Sequence, residues 1–389
     1  MGEDAVRNIH RAVGVVVALF ALAGCGRVGA PRYAEILGTD RGRTRGAAGA
    51  EAASAESAGK LRPPTGVCKE SAQKYVSPGG RLLEGPLPEG LERPTKALLR
   101  GLHPVARRVL GRVHGVWYAE GLEGAAAVFL TCGVDERAAR GGFILLDAGQ
   151  FPFDRPVRDA EVPALYWRAL SSEALWKEDD PLRRARGSGE VGPRDHAARY
   201  LVLHELGHAL SLLAGEFILD EEQRMQIHGT SGFTGYSWAL VTADAGALPG
   251  PGQSSTIRAV VPRSGLTPMT WGTLLDTIGA DPDPLVPGYA LGRPRRSEAA
   301  LARDVCAGAL GLVSAGFVTP TAARYPTEDY AEMFAHAILA DEGKLGRGDR
   351  ITLDIPGCGL REIGAPYFAA TVGPKRAYLE RALGLELTR

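Results

Sequence analysis

The sequence predicts an α+β fold, because two well-marked helical runs are accompanied by only a few short β-type runs. Residues 193–217 carry apolar or small side chains through most of their turns, and 325–343 open with a proline and acids and end at a glycine. Both patterns are typical of helices, the first of a substantially buried one. Residues 125–131 and 142–148 read as strands. Residues 229–297 are rich in glycine and proline and predict a long insertion.

Composition favours a globular chain and argues against a dedicated nucleic-acid binder. The 389 residues contain 45 Lys and Arg against 45 Asp and Glu, so no basic excess is available for phosphates. A hydrophobic fraction of 45% can form a sizeable core, which excludes collagen, coiled coil and wholesale disorder. The 51 glycines and 26 prolines predict many turns and long loops.

The N-terminus predicts export. An apolar run at 12–24 follows Arg7 and Arg11 and stops at Cys25. The run is too short to span a bilayer and is typical of a secretory signal, so we expect a signal peptide over 1–24. A plain signal peptide without lipidation and a buried apolar helix are the alternatives.

The residues before Cys25 resemble the lipoprotein box of bacterial exported proteins, here Leu-Ala-Gly-Cys. The resemblance implies that Cys25 becomes the lipidated first residue and that its acyl chains anchor the protein to a membrane. Gly26 stands where an Asp would signal retention, which by analogy favours the outer membrane. Residues 25–60 are rich in small and charged residues without apolar period, and predict a flexible tether before a folded domain over 61–389.

The four remaining cysteines predict two disulfides. An even number of cysteines in an exported chain favours pairing, and pairs that stay within one half of the chain are Cys68–Cys132 and Cys306–Cys358. A cysteine metal site is not expected, because the chain has no CxxC spacing.

The first helical run contains the pattern HExxH, formed by His204, Glu205 and His208. Residues four apart share one helix face, so both imidazoles can reach one ion, while Glu205 projects beside them towards a metal-bound water. The alternative is two buried histidines with ordinary hydrogen bonds. A catalytic zinc also needs a third protein ligand and one open position.

The residues after His208 exclude two common sources of a third ligand. The pattern HExxHxxGxxH fails, because Ser211 and Ala214 occupy its glycine and histidine positions. A GTxDxxYG segment also fails, because Gly232 stands at the aspartate position. The candidates that remain are Glu221, Glu222, His228 and Glu328.

The residues from Glu328 to Ala335 resemble the ExxAExFA helix of the glutamate-zincins, particularly the catalytic domain of anthrax-lethal-factor-like peptidases. The resemblance implies a zincin-like fold in which Glu328 is the third zinc ligand and Glu332 supports the ligands. His336 continues the same face and is a further supporting candidate, with an ordinary core or surface histidine as the favoured alternative. Acids that merely favour a helix N-terminus would explain Glu328 and Asp329 but not Glu332.

Two features depart from that family. The stretch between His208 and Glu328 is longer than usual, and the insertion at 229–297 is expected to form a lid or exosite. The family tyrosine that stabilises the tetrahedral intermediate is replaced by Thr321, whereas Tyr325 stands three residues before Glu328. Tyr325 is therefore a candidate oxyanion donor, and the donor stays unassigned.

The resemblance implies a zinc-dependent endopeptidase acting on a peptide or protein substrate, with Glu205 as general base and one Zn²⁺. The strand at 142–148 is a candidate edge strand for pairing with an extended substrate, with an ordinary core strand as the alternative. Two other functions remain open at this point. One is a non-catalytic surface lipoprotein that uses a zincin-like scaffold for binding, and the other is an amidase acting on peptidoglycan stem peptides.

Overall fold

The structure is a computed structural model, and it divides the chain into two compact units, Met1–Pro31 and Arg32–Arg389. All described residues belong to the second unit. They are residues 33–37, 59–122, 127–132, 142–149, 195–219, 225–227, 232–244, 256–262, 316–318, 322, 326–347, 350–355 and 359–385.

The described residues contain both helices and strands, without regular alternation of the two. The helices are α1 (Tyr33–Leu37), α2 (Gly66–Gln73), α3 (Glu89–Arg100), α4 (Pro104–Arg112), α5 (Asp195–Ala214), α6 (Pro326–Asp341) and α7 (Gly373–Leu383). The strands are β1 (Val76–Leu82), β2 (Gly115–Leu122), β3 (Ala127–Leu130), β4 (Phe143–Asp147), β5 (Phe217–Leu219), β6 (Met225–Ile227), β7 (Trp238–Asp244), β8 (Thr256–Pro262), β9 (Arg350–Ile355) and β10 (Gly359–Gly364). The predicted α+β class is confirmed.

The main sheet has four strands in the order β1-β2-β4-β3. Strands β2 and β4 are parallel, with Gly115 opposite Phe143, whereas β1 pairs with β2 and β3 with β4 in antiparallel fashion. All five residues of β4 are buried. A strand covered on both faces reads as a continuous apolar run, which is why this segment shows no alternation.

The prediction that 142–148 could be a substrate-pairing edge strand is wrong. β4 lies between β2 and β3, so both of its backbone edges are already paired. Among the strands that the structure describes, the edge strand on that side of the sheet is β3, which packs beside α5. Sequence shows that a run is apolar, but apolar character is the same for a central strand and for an edge strand under a helix.

Helices α5 and α6 pack against each other more extensively than any other pair of helices in the described residues. Their close approach depends on Gly207, because a Cβ built there would lie 2.6 Å from Ala331 Cα and 3.0 Å from its carbonyl oxygen. The predicted end of the second helix at Gly343 agrees with its positive φ of 69°, a conformation that glycine adopts without strain.

Part of the predicted flexible tether is folded. Tyr33 and Leu37 of α1 are buried in the core, and Arg112 donates to the Glu35 carbonyl. Lys60 donates to two backbone carbonyls near the end of α4. The composition of 25–60 predicted a segment that does not pack against the folded domain. The buried side chains of Tyr33, Ile36 and Leu37 nevertheless dock this short helix in the core.

The predicted insertion also begins with core residues. Phe233 and Trp238 are buried, and Trp238 opens a hairpin of β7 and β8. No described helix is both long enough and apolar enough to cross a membrane.

The predicted bond between Cys68 and Cys132 is confirmed; it links α2 to the residues after β3. Several predicted residues lie outside the described part of the chain: Cys25, Glu221, Glu222, His228, Cys306, Thr321, Tyr325 and Cys358.

Candidate metal centre

Helix α5 presents His204 and His208 on one face, with side chains only 9% and 8% exposed. The helix is apolar around most of its circumference, which is typical of a buried helix. Strand β3 and helix α6 pack against it and limit the access of water to the two imidazoles. The two rings lie nearly perpendicular, with centroids 4.7 Å apart. Their Nε2 atoms are separated by 3.1 Å.

Helix α6 supplies Glu328 from its first turn. Its Oε2 lies 3.2 Å from His204 Nε2, and its Oε1 lies 3.5 Å from His208 Nε2. The side chain is 25% exposed, which leaves an approach from solvent. Among the four candidates for a third ligand, Glu328 is the one that the described residues include, and it lies beside both histidines.

The spacing of these three donors fits one small cation. A tetrahedral centre with bonds of about 2.0–2.1 Å separates its ligand atoms by about 3.3–3.4 Å. The three separations between the donor atoms are 3.1, 3.2 and 3.5 Å. Two imidazoles and a carboxylate with one open position form the donor set of a catalytic zinc site.

Glu332 holds His204 from the opposite side. Its Oε1 lies 2.9 Å from His204 Nδ1, and the carboxylate is completely buried one turn after Glu328. This contact assigns the imidazole proton to Nδ1 and leaves the Nε2 lone pair directed at the candidate cation position. His336, the further candidate, donates from Nδ1 to the Glu332 carbonyl oxygen at 2.8 Å and lies 3.4 Å from the Tyr200 hydroxyl.

Tyr200 completes the support of Glu332 and was not among the predicted residues. Its hydroxyl donates to Glu332 Oε2. Tyr200 precedes His204 by four residues on α5, so helical spacing places both on one face. That spacing was the available signal, but a buried tyrosine on an apolar helix resembles an ordinary core residue.

Burial and charge set the protonation of the site. Burial lowers the pKa of His208 to about 4, which keeps its imidazole neutral and able to bind a cation. Burial also acts to lower the pKa of His204, but hydrogen bonds to Glu328 and Glu332 outweigh it and raise that pKa well above its ordinary value.

Glu205 lies beside the donors and next to the edge strand. Burial raises its pKa to about 7, against the attraction of His204. A backbone hydrogen bond with Phe129 of β3 acts in the lowering direction. A carboxylate with a pKa near neutrality can accept and return a proton at physiological pH.

Comparison of the chain with protein-family models, with curated proteins and with solved structures found no significant match.

Proposed function

We propose that the protein is a zinc-dependent endopeptidase with Glu205 as its general base. The observation that carries the proposal is the spacing of His204, His208 and Glu328, whose donor atoms all lie within 4.8 Å of one another. Glu205, buried beside them on α5, supports hydrolysis rather than a purely structural cation site. The proposal includes a zincin-like fold for the arrangement of α5, α6 and the sheet.

The chain's own residues suit each part of such a reaction. A bound zinc ion supplies Lewis acidity, lowering the pKa of its water and polarising the scissile carbonyl. Glu205 accepts the proton of the attacking water and delivers it to the leaving amine. Glu332 keeps the proton of His204 on Nδ1, so that Nε2 stays available as a ligand.

The proposal also has the substrate bind along β3. Within the described part of the chain, this strand ends the four-stranded sheet on the side of α5, and the Phe129 backbone makes a hydrogen bond with Glu205. An extended peptide that pairs with an unpaired strand edge gains main-chain hydrogen bonds and lies at a fixed distance from the strand. Pairing with β3 therefore brings a scissile bond beside Glu205.

The test compares Glu205→Gln and Glu328→Ala with the wild type and with Glu92→Gln, a control on α3. Zinc per chain and cleavage of a peptide library are measured. We expect Glu205→Gln to keep one zinc and lose about 10²–10⁴-fold in turnover, and Glu328→Ala to lose zinc.

Three outcomes would contradict parts of the proposal. Wild-type turnover in Glu205→Gln removes the general base, and a full zinc equivalent at wild-type affinity in Glu328→Ala removes that ligand. Zinc binding without cleavage of any peptide favours the binding lipoprotein, whereas digestion of cell-wall material alone favours the amidase.

We also propose that Cys25 carries lipid and anchors the enzyme to a bacterial membrane, on the strength of the sequence at 22–25. Labelling cells with a radioactive or clickable fatty acid tests this directly. The wild type is expected to incorporate label into the membrane fraction, and Cys25→Ser to incorporate none. Equal labelling of the two proteins contradicts lipidation at this cysteine.

A further inference from the structure

The first turn of α6 is joined to the C-terminal helix α7 by a fully buried ion pair. Lys375 Nζ lies 2.6 Å from Asp329 Oδ1, and the two side chains are 2% and 0% exposed. Asp329 immediately follows Glu328 in the chain. Among the described residues, the hydrogen bonds of Lys375 go to Asp329, Ser237 and the Gly316 carbonyl, so its influence on the candidate metal centre passes through Asp329.

Every polar atom of this pair has a partner. Lys375 also donates to Ser237 Oγ at 3.0 Å and to the Gly316 carbonyl at 2.6 Å. Trp238 Nε1 donates to the second oxygen of Asp329 at 3.1 Å. An ammonium group has three N–H donors, and here each has an acceptor. The network therefore fixes Asp329 from three separate segments of the chain.

Aromatic rings close the network to water. The Lys375 ammonium lies 5.1 Å from the ring centroid of Phe317 and 5.6 Å from that of Phe233. Such contacts between a cation and an aromatic face are attractive, most so where water is excluded. Burial lowers the pKa of Lys375 and raises that of Asp329, even though each opposes the other's shift.

Stability alone does not account for a pair in this position. A buried ion pair is often no more stabilising than apolar residues of the same volume, because desolvation offsets the attraction. What the pair provides is orientation, because the Lys375 ammonium and the Asp329 carboxylate must face each other in one arrangement. That arrangement lies beside Glu328, the one candidate ligand that does not come from α5.

The need for such positioning follows from the origin of the ligands. His204 and His208 keep their separation because one helix carries both. Glu328 comes from a different helix, so its distance from them depends on how the start of α6 is held. A displacement of the first turn of α6 by about 1 Å would disrupt metal coordination, because metal–ligand distances vary by only about 0.2 Å.

A second buried tie acts on the next residue of α6. Tyr330 bonds the Tyr33 hydroxyl at 2.8 Å, and Tyr33 donates to Glu216 at 2.8 Å. Tyr378, one turn after Lys375 on α7, donates to the same Glu216 oxygen at 2.6 Å. The two residues that follow Glu328 are thus each connected to α7, one directly and one through Glu216.

We propose that Lys375 is a positioning residue that holds Glu328 at ligand distance through Asp329. The proposal rests on the proposed zinc-binding function and assigns α7 a part in it. It predicts that the loss of Lys375 weakens cation binding more than an equally destabilising change elsewhere on α7.

The test measures zinc affinity by competition with a chromophoric chelator, together with the absorption spectrum of the Co²⁺-substituted protein. Lys375→Met keeps the length of the side chain and removes its charge. Leu379→Ala is the matched control, because Leu379 is fully buried on the same helix and has no polar tie to α6. Asp329→Asn is a second variant that keeps the side-chain shape and weakens the pair.

We expect Lys375→Met to raise the zinc Kd by about 10- to 100-fold and to alter the Co²⁺ spectrum. Leu379→Ala is expected to leave both close to wild type well below its unfolding temperature. If Lys375→Met does not fold, Asp329→Asn tests the proposal instead, and its zinc affinity is also expected to be weaker than that of the wild type.

Wild-type zinc affinity in the folded charge variants overturns the proposal, and so does equal weakening in Leu379→Ala. A wild-type protein that binds no zinc instead overturns the proposed function. The two failures are therefore distinguishable in one titration series.

Discussion

At the scale of single residues, the position of Glu332 has the strictest chemical requirement in the candidate metal centre, namely a carboxylate. Its carboxylate faces two donors, His204 Nδ1–H and the Tyr200 hydroxyl. An ionised carboxylate has two accepting oxygens, whereas an amide has one oxygen and one NH₂. No residue other than an acid can therefore satisfy both neighbours from this buried position.

Replacement Glu332→Gln is expected to weaken zinc binding by about 10- to 100-fold, because its NH₂ must face a donor. Tyr200→Phe removes one of those donors, so the double variant is expected to recover part of the loss. Competition with a chromophoric chelator measures both. Additive losses in the double variant would contradict this account of Glu332.

The site could be predicted from sequence only where its residues are close along the chain. His204, Glu205 and His208 follow from helical spacing, and Glu328 and Glu332 follow from a resemblance to a known helix. Asp329 and Lys375 are 46 residues apart and carry no such pattern. Their contact depends on how α6 and α7 pack, which neither helix specifies by itself.

At the scale of elements, the approach of α5 to α6 depends on Gly207. Alanine normally stabilises a helix relative to glycine by about 1 kcal/mol. Here the added Cβ would lie 2.6 Å from Ala331 Cα, which forces the two helices apart.

Replacement Gly207→Ala is expected to lower the free energy of unfolding by about 1–3 kcal/mol and to weaken zinc binding, because Glu328 moves with α6. Gly90→Ala is the matched control, since a Cβ on that helical glycine meets nothing within 4 Å. Urea unfolding followed by circular dichroism measures both variants. A Gly207→Ala protein as stable as the control would show that the helices can separate at no cost.

The docking of α1 is a second feature of this scale. Leu37 is completely buried, although composition placed it in a tether. Replacement Leu37→Ala is expected to cost about 2–5 kcal/mol in the free energy of unfolding. Val67→Ala, at a position 53% exposed, serves as the control and is expected to change little. Equal stability of the two variants in urea would mean that α1 contributes nothing to the fold.

At the scale of the whole molecule, the sequence predicted the α+β class but not the arrangement. The continuous apolar run of β4 predicts a buried strand. Its place between β2 and β3, however, depends on pairing with segments that are distant along the chain. Similarly, Phe233 and Trp238 lie in a stretch whose glycine and proline content indicates loops. Their burial follows from partners on α6 and α7, which local composition does not contain.

The bond between Cys68 and Cys132 connects distant parts of the molecule, and its loop length sets its expected contribution. The two cysteines are 64 residues apart, and closing a loop of that size in the unfolded chain corresponds to roughly 4 kcal/mol in the chain-entropy model. Because the bond ends just after β3, its loss also frees the end of the strand proposed to hold substrate. Zinc binding should be less affected, since the candidate ligands lie on α5 and α6.

The paired variant Cys68→Ala/Cys132→Ala, made in a Cys306→Ala/Cys358→Ala background, isolates this one bond. Compared with the background alone, it is expected to lose roughly 4 kcal/mol in urea unfolding, to raise KM for peptides and to keep its zinc affinity. The rise in KM follows if β3 aligns the substrate, because a less rigid edge strand forms weaker main-chain hydrogen bonds with a bound peptide. An unchanged KM in a measurably destabilised protein would move substrate alignment away from β3 and leave the metal centre as proposed.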